Sequence, residues 1–523
     1  MTGHPGVTVQ RPTGWASVRP RITWTAADWP VAAVTLASAI AVMWVITLSW
    51  RRLDGLGTGA YDLGFFQQLI WNIGTTGSWV SSFHEGSFLG LHFSPILAVP
   101  AAIELVVGPD AHVLVVLHAL GIGALVPATF LFLRAALRPS SWAGALAAGM
   151  AIGFPLWGAM QWVIRSDFHP ELFGVILALM AGWAGLSGRP RTMWILAVVA
   201  LATREDVAYA VAVVALVVNV RGRGRMRGHG RALAIAAVTW GVVVFAVLMP
   251  WLRDGLPSDT ARYYRWLGDG LSIVSAPIRL PERIGAALTA QGPWFVVAGM
   301  LIAVAGLPLL RPRWLMMMVP PLAAVLLSGH PPQAALIYQY PLILVVPLLA
   351  ATAMGGRRAL AIAESRRRRC AHAGRERGSS SARRSAWLGP LVFLVIATPA
   401  FLGGWVQGSI PPFKDDPVFL GRASAIDVLR AIAAQVPADA PLVTDEGLVT
   451  PLASRTAIRR LTGSGFPSRP AFIIIDREAW SPSRASAAQR DRILAWLPVS
   501  GRPIVADDGR FVLWGPQPVV VAP

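Results

Sequence analysis

The chain has 523 residues, of which 54% are apolar and 14% charged, and its mean hydropathy is +0.55, a balance that a soluble domain of this length does not reach. The formal charge of +19 points away from nucleic acid, because the arginines sit in short loops between apolar blocks and the chain beyond residue 407 holds 13 basic against 11 acidic residues. One cysteine, Cys370, excludes a disulfide framework and a Cys-based metal site.

In chain order, residues 1–29 read as a polar cytoplasmic tail, and the apolar block 30–50 is long enough to span, which makes it a signal-anchor helix rather than a cleaved signal. Further apolar blocks at 93–107, 111–133, 142–160, 171–187, 192–203, 206–220, 232–252, 292–310, 314–328, 334–354 and 387–405 approach the ~20 residues that a crossing helix needs. The expected fold is an α-helical polytopic membrane protein with about 11–12 transmembrane or re-entrant helices. Arginine-rich loops at 189–191, 221–231 and 311–313, and the block from Arg357 to Arg384, fall on the cytoplasmic side by the positive-inside rule. With that orientation one early block cannot cross. The segment 93–107, short and carrying Pro95, Pro100 and Glu104, is the candidate for a re-entrant or half-depth helix.

The transmembrane unit is therefore expected over 30–356, with an outer loop at 51–92. Residues 357–386, rich in Arg and Ser, are expected to be a disordered basic cytoplasmic loop, followed by a last transmembrane helix at 387–406. Lys414 is the lone lysine, a bias that fits a GC-rich bacterial genome and so a multi-pass protein of the bacterial plasma membrane. From 407 to 523 the pattern changes. Short apolar runs at 440–445, 472–476, 503–507 and 510–514 alternate with helical periodicity at 423–436 and 486–497, which predicts a small extracytoplasmic α/β domain. Asp445 and Asp476 end two of its strands, where turns and caps use Asp as readily as ligand sites do.

Ionisable groups close to hydrocarbon mark a site, a cavity or a pathway, and four clusters qualify. In "GAYDLGFFQQLIW" Asp62 precedes residues 63–73, which read as an interfacial helix with Phe65, Phe66, Leu69, Ile70 and Ile73 on one face and Gln67, Gln68 and Asn72 on the other. An N-cap role for Asp62 is compatible with a functional one. "HEGSFLGLHFSP" holds His84, Glu85 and His92, and "RSDFHPE" holds Arg165, Asp167, His169 and Glu171. Their histidines and carboxylates are the donor types of a divalent metal site, although the spacing matches no ligand motif and a hydrogen-bonded polar plug explains them equally well. "TREDVAY" sets Arg204, Glu205 and Asp206 between two apolar runs, where an arginine beside carboxylates suits a phosphate and a solvated outer loop is the alternative. A fifth, weaker feature is Tyr338, Gln339 and Tyr340 in "HPPQAALIYQYP", where aromatic belting competes with substrate contact. All four main clusters fall on the outer side in this orientation, which predicts one shared polar cavity.

The order of these features, "AYDLGFFQQLIWNIGTTGSW", "LHFSPILAVPAAIELVVG", "LFLRAAL", "FHPE", "REDVAY" and "YQYP", resembles the bacterial membrane family known as domain of unknown function 2079, itself similar to the GT-C glycosyltransferase superfamily. The resemblance is carried by residues 30–350. It implies transfer of a sugar from a polyprenyl-phosphate carrier, a lipid-linked co-substrate, to a cell-envelope glycan or protein acceptor at the outer membrane surface. It also implies Asp62 as the first-loop general base, Arg204 and Arg165 as partners of the departing phosphate, and Asp167, His169, Glu171, Glu205 and Asp206 as residues that position the sugar or hold a divalent metal. Gln67, Gln68, His92, Tyr338, Gln339 and Tyr340 complete the expected substrate-binding set. The Asp-Glu pair of many mannosyltransferases is here Asp62-Leu63. Two other readings compete: a transporter or flippase of a lipid-linked glycan or small solute, which expects repeats and mid-membrane polar groups that the sequence does not display, and a non-catalytic scaffold.

Overall fold

A computed structural model describes residues 29–268, 272, 275–374, 397–420, 424–461, 470–479 and 484–517. Helix α1 (Trp29–Asp54) has 26 residues, about 39 Å at the usual rise, which exceeds the ~30 Å of a hydrocarbon core. It is followed by α2 (Phe65–Thr76), a hairpin of β1 (Val80–Ser81) and β2 (His84–Ser87), α3 (Ala98–Val107) and α4 (Ala111–Leu137). Next come α5 (Ala143–Gly153), α6 (Gly158–Arg165), α7 (Pro170–Leu186), α8 (Pro190–Leu201), α9 (Val207–Arg221) and α10 (Met226–Val243), the last continuing through a π-helical turn at Val244–Leu248. After a connecting segment, α11 (Pro281–Thr289), α12 (Gln291–Ala303), α13 (Val319–Leu326) and α14 (Leu342–Gly374) complete the helical unit.

Among the described residues four helices, Trp29–Asp54, Ala111–Leu137, Met226–Leu252 and Leu342–Arg366, are long and apolar enough to cross a membrane, or up to six if two bent pairs each form one span. One such pair bends by 48° between α5 and α6. Pro155 lies at that break, where it removes a helical donor. Helix α3 has ten residues, about 15 Å, too short to cross. The expected last span at 387–405 lies partly outside the described residues; helix is present from residue 397.

Helices of this unit approach through small residues, the usual device where lipid and side chain are equally apolar. A Cβ at Gly123 of α4 would lie 2.3 Å from Val42 Cγ2 of α1, and Ser38 Oγ donates to the Gly123 carbonyl at 2.8 Å. Phe132, Phe154 and Trp157 are fully buried in the resulting core. On α10 the outward residues Ile235, Val238 and Val242 are exposed, as a lipid-facing surface requires.

Helix α14 runs on to Gly374, so residues 357–374 are helical where the composition predicts a disordered loop. Arg and Ala dominate this stretch, and both are strong helix formers that extend a helix already nucleated in the core. The rest of the basic block, 375–386, lies outside the described residues.

The C-terminal segment forms a five-stranded sheet in the order β4-β3-β5-β7-β6. Strands β3 (Leu442–Thr444), β5 (Phe472–Asp476), β6 (Ile504–Asp507) and β7 (Phe511–Trp514) match the four apolar runs of the sequence, and β4 (Ile458–Arg460) is an additional edge strand. β3 is parallel to β4 and β5, whereas β7 is antiparallel to β5 and β6. The continuous run Ile473, Ile474 and Ile475 is buried, as a central strand covered on both faces demands. Helix α15 (Ile426–Ala433) covers one face and α16 (Arg484–Trp496) the other. Leu429 and Ile474 from this unit share a hydrophobic cluster with Leu53, Leu56, Leu63, Leu69 and Ile70 from the first loop.

Candidate active site

Asp62 lies in a π-helical turn, Ala60–Gly64, that leads directly into α2. It does not cap α2, whose N-cap position is Gly64. Arg52 fixes the chain just before the turn: its Nε donates to the Gly57 carbonyl at 3.0 Å, and its Nη1 donates to the Arg165 carbonyl at 2.5 Å and to Asp167 Oδ1 at 3.1 Å. That guanidinium thereby ties the first loop to the loop between α6 and α7. From there His169, the residue before α7, brings its Nε2 to 3.8 Å from Asp62 Oδ1.

Asp62 opens onto a cavity of about 830 Å³. Members of each expected cluster line it: Asp62, then His84 and His92, then His169 and Glu171, then Arg204, Glu205 and Asp206, together with Gln339 and Tyr340. Segments widely separated in the chain thus meet in one space. The Arg204 guanidinium pairs with Glu171 and lies 3.8 Å from Glu205 and 3.6 Å from Asp206. Glu205 in turn holds His92 Nδ1 at 2.8 Å and accepts from the Phe93 N–H at 2.9 Å. Three buried atoms of this group, Arg204 Nε, Glu171 Oε2 and Asp206 Oδ1, have no hydrogen-bond partner. Such atoms cost free energy unless another group satisfies them.

The electrostatics divide the acids. Burial pushes the Asp62 carboxyl above its ordinary value, against the opposing pull of His169 and Arg52, and Glu446 and Glu171 push it the same way as burial. Asp62 keeps 32% of its side-chain surface accessible at the cavity wall, so the shift reflects the surrounding protein and not complete exclusion of water. Burial also raises Asp206, with Arg204 opposing and Glu205 and Glu171 reinforcing. Glu205 moves the other way: burial raises it, but His92 and Arg204 outweigh burial. The neighbouring pair therefore holds one carboxylate and one acid that keeps its proton more readily.

Five expected site residues lie off the cavity wall. The amides of Gln67 and Gln68 are buried, at 1% and 0% exposure, and bind Glu104, Ser81, Ser82 and backbone carbonyls of the C-terminal unit rather than the cavity. Arg165 turns away to Asp416 and to the Ser409 carbonyl. Asp167 is 2% exposed and paired with Arg52, with burial raising its carboxyl to about 6 against the attraction of Arg52. Tyr338 packs edge-on against Trp162 at 5.7 Å. It belongs to a turn, since the helix that follows starts at Leu342.

Part of the lining carries almost no signal in the sequence. Arg262, Tyr263 and Tyr264 enter from the segment after α10, with His330 and Gln333 from the segment before α14. Tyr263 stacks on His330 at 4.6 Å, and His330 meets Tyr340 edge-on at 5.8 Å. The only signal was the aromatic pair itself, inside a loop without a recognisable motif. Among the described residues no group of three or more His, Cys, Asp or Glu side chains converges as a metal site. The lining also includes the apolar Val175, Val207, Ala210, Phe245 and Ile343.

Comparison with known proteins gives one family match. The model described as "Predicted membrane protein (DUF2079)" matches residues 52–496. No curated protein matches the chain. Among solved structures, ArnT from Cupriavidus metallidurans bound to undecaprenyl phosphate is 14% identical, with a TM-score of 0.47 over 94% of this chain and 98% of that one. The same protein in the apo state gives 13% identity and a TM-score of 0.45 over 94% and 98%. The arabinofuranosyltransferase AftD from Mycobacteria gives 13% and 0.45, covering 95% of this chain and 40% of that one.

Proposed function

The chain belongs to the DUF2079 family of membrane proteins, and from that premise we propose that it is a membrane glycosyltransferase that moves a sugar from a polyprenyl-phosphate carrier to a cell-envelope acceptor. The observation that carries this reading is the shared cavity, whose lining holds Asp62 and the Arg204 cluster together with apolar side chains, among them the exposed Phe245. An isoprenoid chain suits those apolar side chains, and a phosphate suits the polar ones.

In the proposed reaction an acceptor hydroxyl attacks the anomeric carbon while the bond from that carbon to the carrier phosphate oxygen breaks. Asp62 takes the hydroxyl proton, and its raised affinity for protons makes it a stronger base than an exposed aspartate. The departing phosphate gains negative charge, and Arg204, whose Nε lies 3.6 Å from Asp206 Oδ1 and makes no hydrogen bond, is a cation of the cavity lining that can receive it. Glu171 Oε2 and Asp206 Oδ1 are acceptors for sugar hydroxyls. In this reading the cavity and the C-terminal unit face the outside of the bacterial plasma membrane, and the N-terminus is cytoplasmic.

The test is sugar transfer in membranes from radiolabelled polyprenyl-phosphate sugars. Wild-type membranes are expected to label an envelope acceptor, and membranes with Asp62→Asn at equal protein level are not. Equal transfer by both would overturn the role of Asp62. Absence of transfer from every lipid-linked donor, with retained binding of envelope glycan, would favour the scaffold reading.

A further inference from the structure

The C-terminal unit reaches the Asp62 turn through two charged side chains. Glu446, the residue that opens the short helix after β3, accepts the Ala60 N–H on Oε1 at 3.1 Å. Ala60 is the first residue of the π-helical turn and is 0% exposed. The other oxygen, Glu446 Oε2, accepts from Arg460 Nη1 at 3.1 Å. Arg460 then lies over the Tyr61 ring, 4.5 Å from its centroid, and Tyr61 lines the cavity beside Asp62. The residues on either side of the Ala60–Tyr61 peptide are thus both held by the C-terminal unit, through Glu446, 386 positions after Ala60, and Arg460.

The backbones around this contact lie too close for larger residues. A Cβ at Gly447 would sit 2.0 Å from the Leu56 carbonyl oxygen, and a Cβ at Gly64 would sit 2.9 Å from Val449 Cγ1. A π-helical turn is rare and needs support from its surroundings. Here Glu446 bonds the first residue of the turn, and Arg52 holds the Gly57 carbonyl three residues before it.

We propose that Glu446 and Arg460 are positioning residues: through the Ala60 amide and the Tyr61 ring, the C-terminal unit sets the place of the Asp62 carboxylate in the cavity. Their action also has an electrostatic side. Around Asp62, His169 and Arg52 favour its ionised form and Glu446 and Glu171 disfavour it, and Asp167 and Tyr340 also interact with its charge. Replacing Glu446 by a neutral residue removes one of the acids that disfavour ionisation, so Asp62 loses its proton more easily.

The proposal rests on the function given above, and the experiment separates the two. Full-length protein is compared as wild type, Glu446→Gln, Glu446→Ala, Arg460→Lys and Arg460→Ala, with Asp62→Asn alongside. Amide hydrogen exchange of the peptide spanning 57–66 needs no substrate. Its Ala60 amide is expected to exchange at least tenfold faster in Glu446→Ala than in wild type, and Glu446→Gln, whose carbonyl still accepts, restores most of the protection. In the transfer assay Glu446→Ala and Arg460→Ala are expected to lower kcat about tenfold or more with little change in donor KM, and Arg460→Lys restores less than half because it lacks the flat guanidinium. Glu446→Gln is expected to move the acid limb of the rate profile to lower pH, a shift that a purely structural contact would not produce. Unchanged exchange at Ala60 together with an unmoved profile would overturn the proposal. If Asp62→Asn retains full transfer while the exchange changes as expected, the positioning contact stands and the base assignment falls.

Discussion

His169 Nε2 stands 3.8 Å from Asp62 Oδ1, near enough for charge attraction and beyond direct hydrogen-bond length. Asp62 keeps 32% of its side-chain surface accessible on the cavity, where an acceptor hydroxyl or a water can lie against the carboxylate with the imidazole as an electrostatic neighbour. His169→Gln is expected to raise the Asp62 affinity for protons, because His169 favours the ionised form. The acid limb of the transfer profile then moves to higher pH, and the rate at neutral pH falls. A profile that moves to lower pH would contradict this sign.

Asp62→Asn is expected to reduce transfer by about 10²–10⁴-fold, the range a positioned general base contributes. The wild-type acid limb is expected above the ordinary carboxylate range, since burial raises Asp62. As pH falls through that raised value, the base becomes protonated and transfer is lost. Initial rates between about pH 4 and 8 in detergent or nanodiscs check both statements.

Arg52 and Asp167 form a pair with side-chain exposures of 9% and 2%. Arg52→Ala leaves a buried acid without its cation and is expected to cost roughly 3–5 kcal/mol of stability. Burial, partly offset by Arg52, already raises Asp167 to about 6, above its unfolded value of about 3.9. Without Arg52 that value rises further, so the acid is neutral at low pH and charged at high pH. The destabilisation is therefore expected to be larger at pH 8 than at pH 5, and thermal unfolding in detergent at the two values measures it. An equal loss at both would show that the lost hydrogen bonds to the Gly57 and Arg165 carbonyls dominate instead.

Orientation is tested with single cysteines in a Cys370→Ser background. Glu478→Cys, an exposed position after β5, is expected to react with a membrane-impermeant thiol reagent on intact cells. Arg223→Cys, exposed in the basic loop between α9 and α10, is expected to react only after lysis. The opposite labelling would invert the topology.

Much of the helical plan was legible because hydrophobic blocks report length and composition, and the four strands of the tail were legible because buried strands are short apolar runs bounded by turn residues. The candidate site was legible wherever a polar cluster interrupts apolar sequence, as at Asp62, His169 and Arg204. What was not legible depended on distant partners. Gln67 and Gln68 look like the wet face of an interfacial helix, yet each binds residues of the C-terminal unit about 390 positions away. Arg165 looks like a phosphate ligand until Asp416 claims it. Tyr263 and His330 carry no local signal, because a stacked pair from two loops exists only once both loops are folded.

The bond between Ala60 and Glu446 joins positions 386 residues apart. During synthesis at about 5–20 residues per second, the first loop emerges roughly 20–80 seconds before the residues that complete its core. For that interval Leu56, Leu63, Leu69 and Ile70 lack the C-terminal share of the cluster in which they are buried. The turn bearing Asp62 is therefore made well before the residues that complete its support.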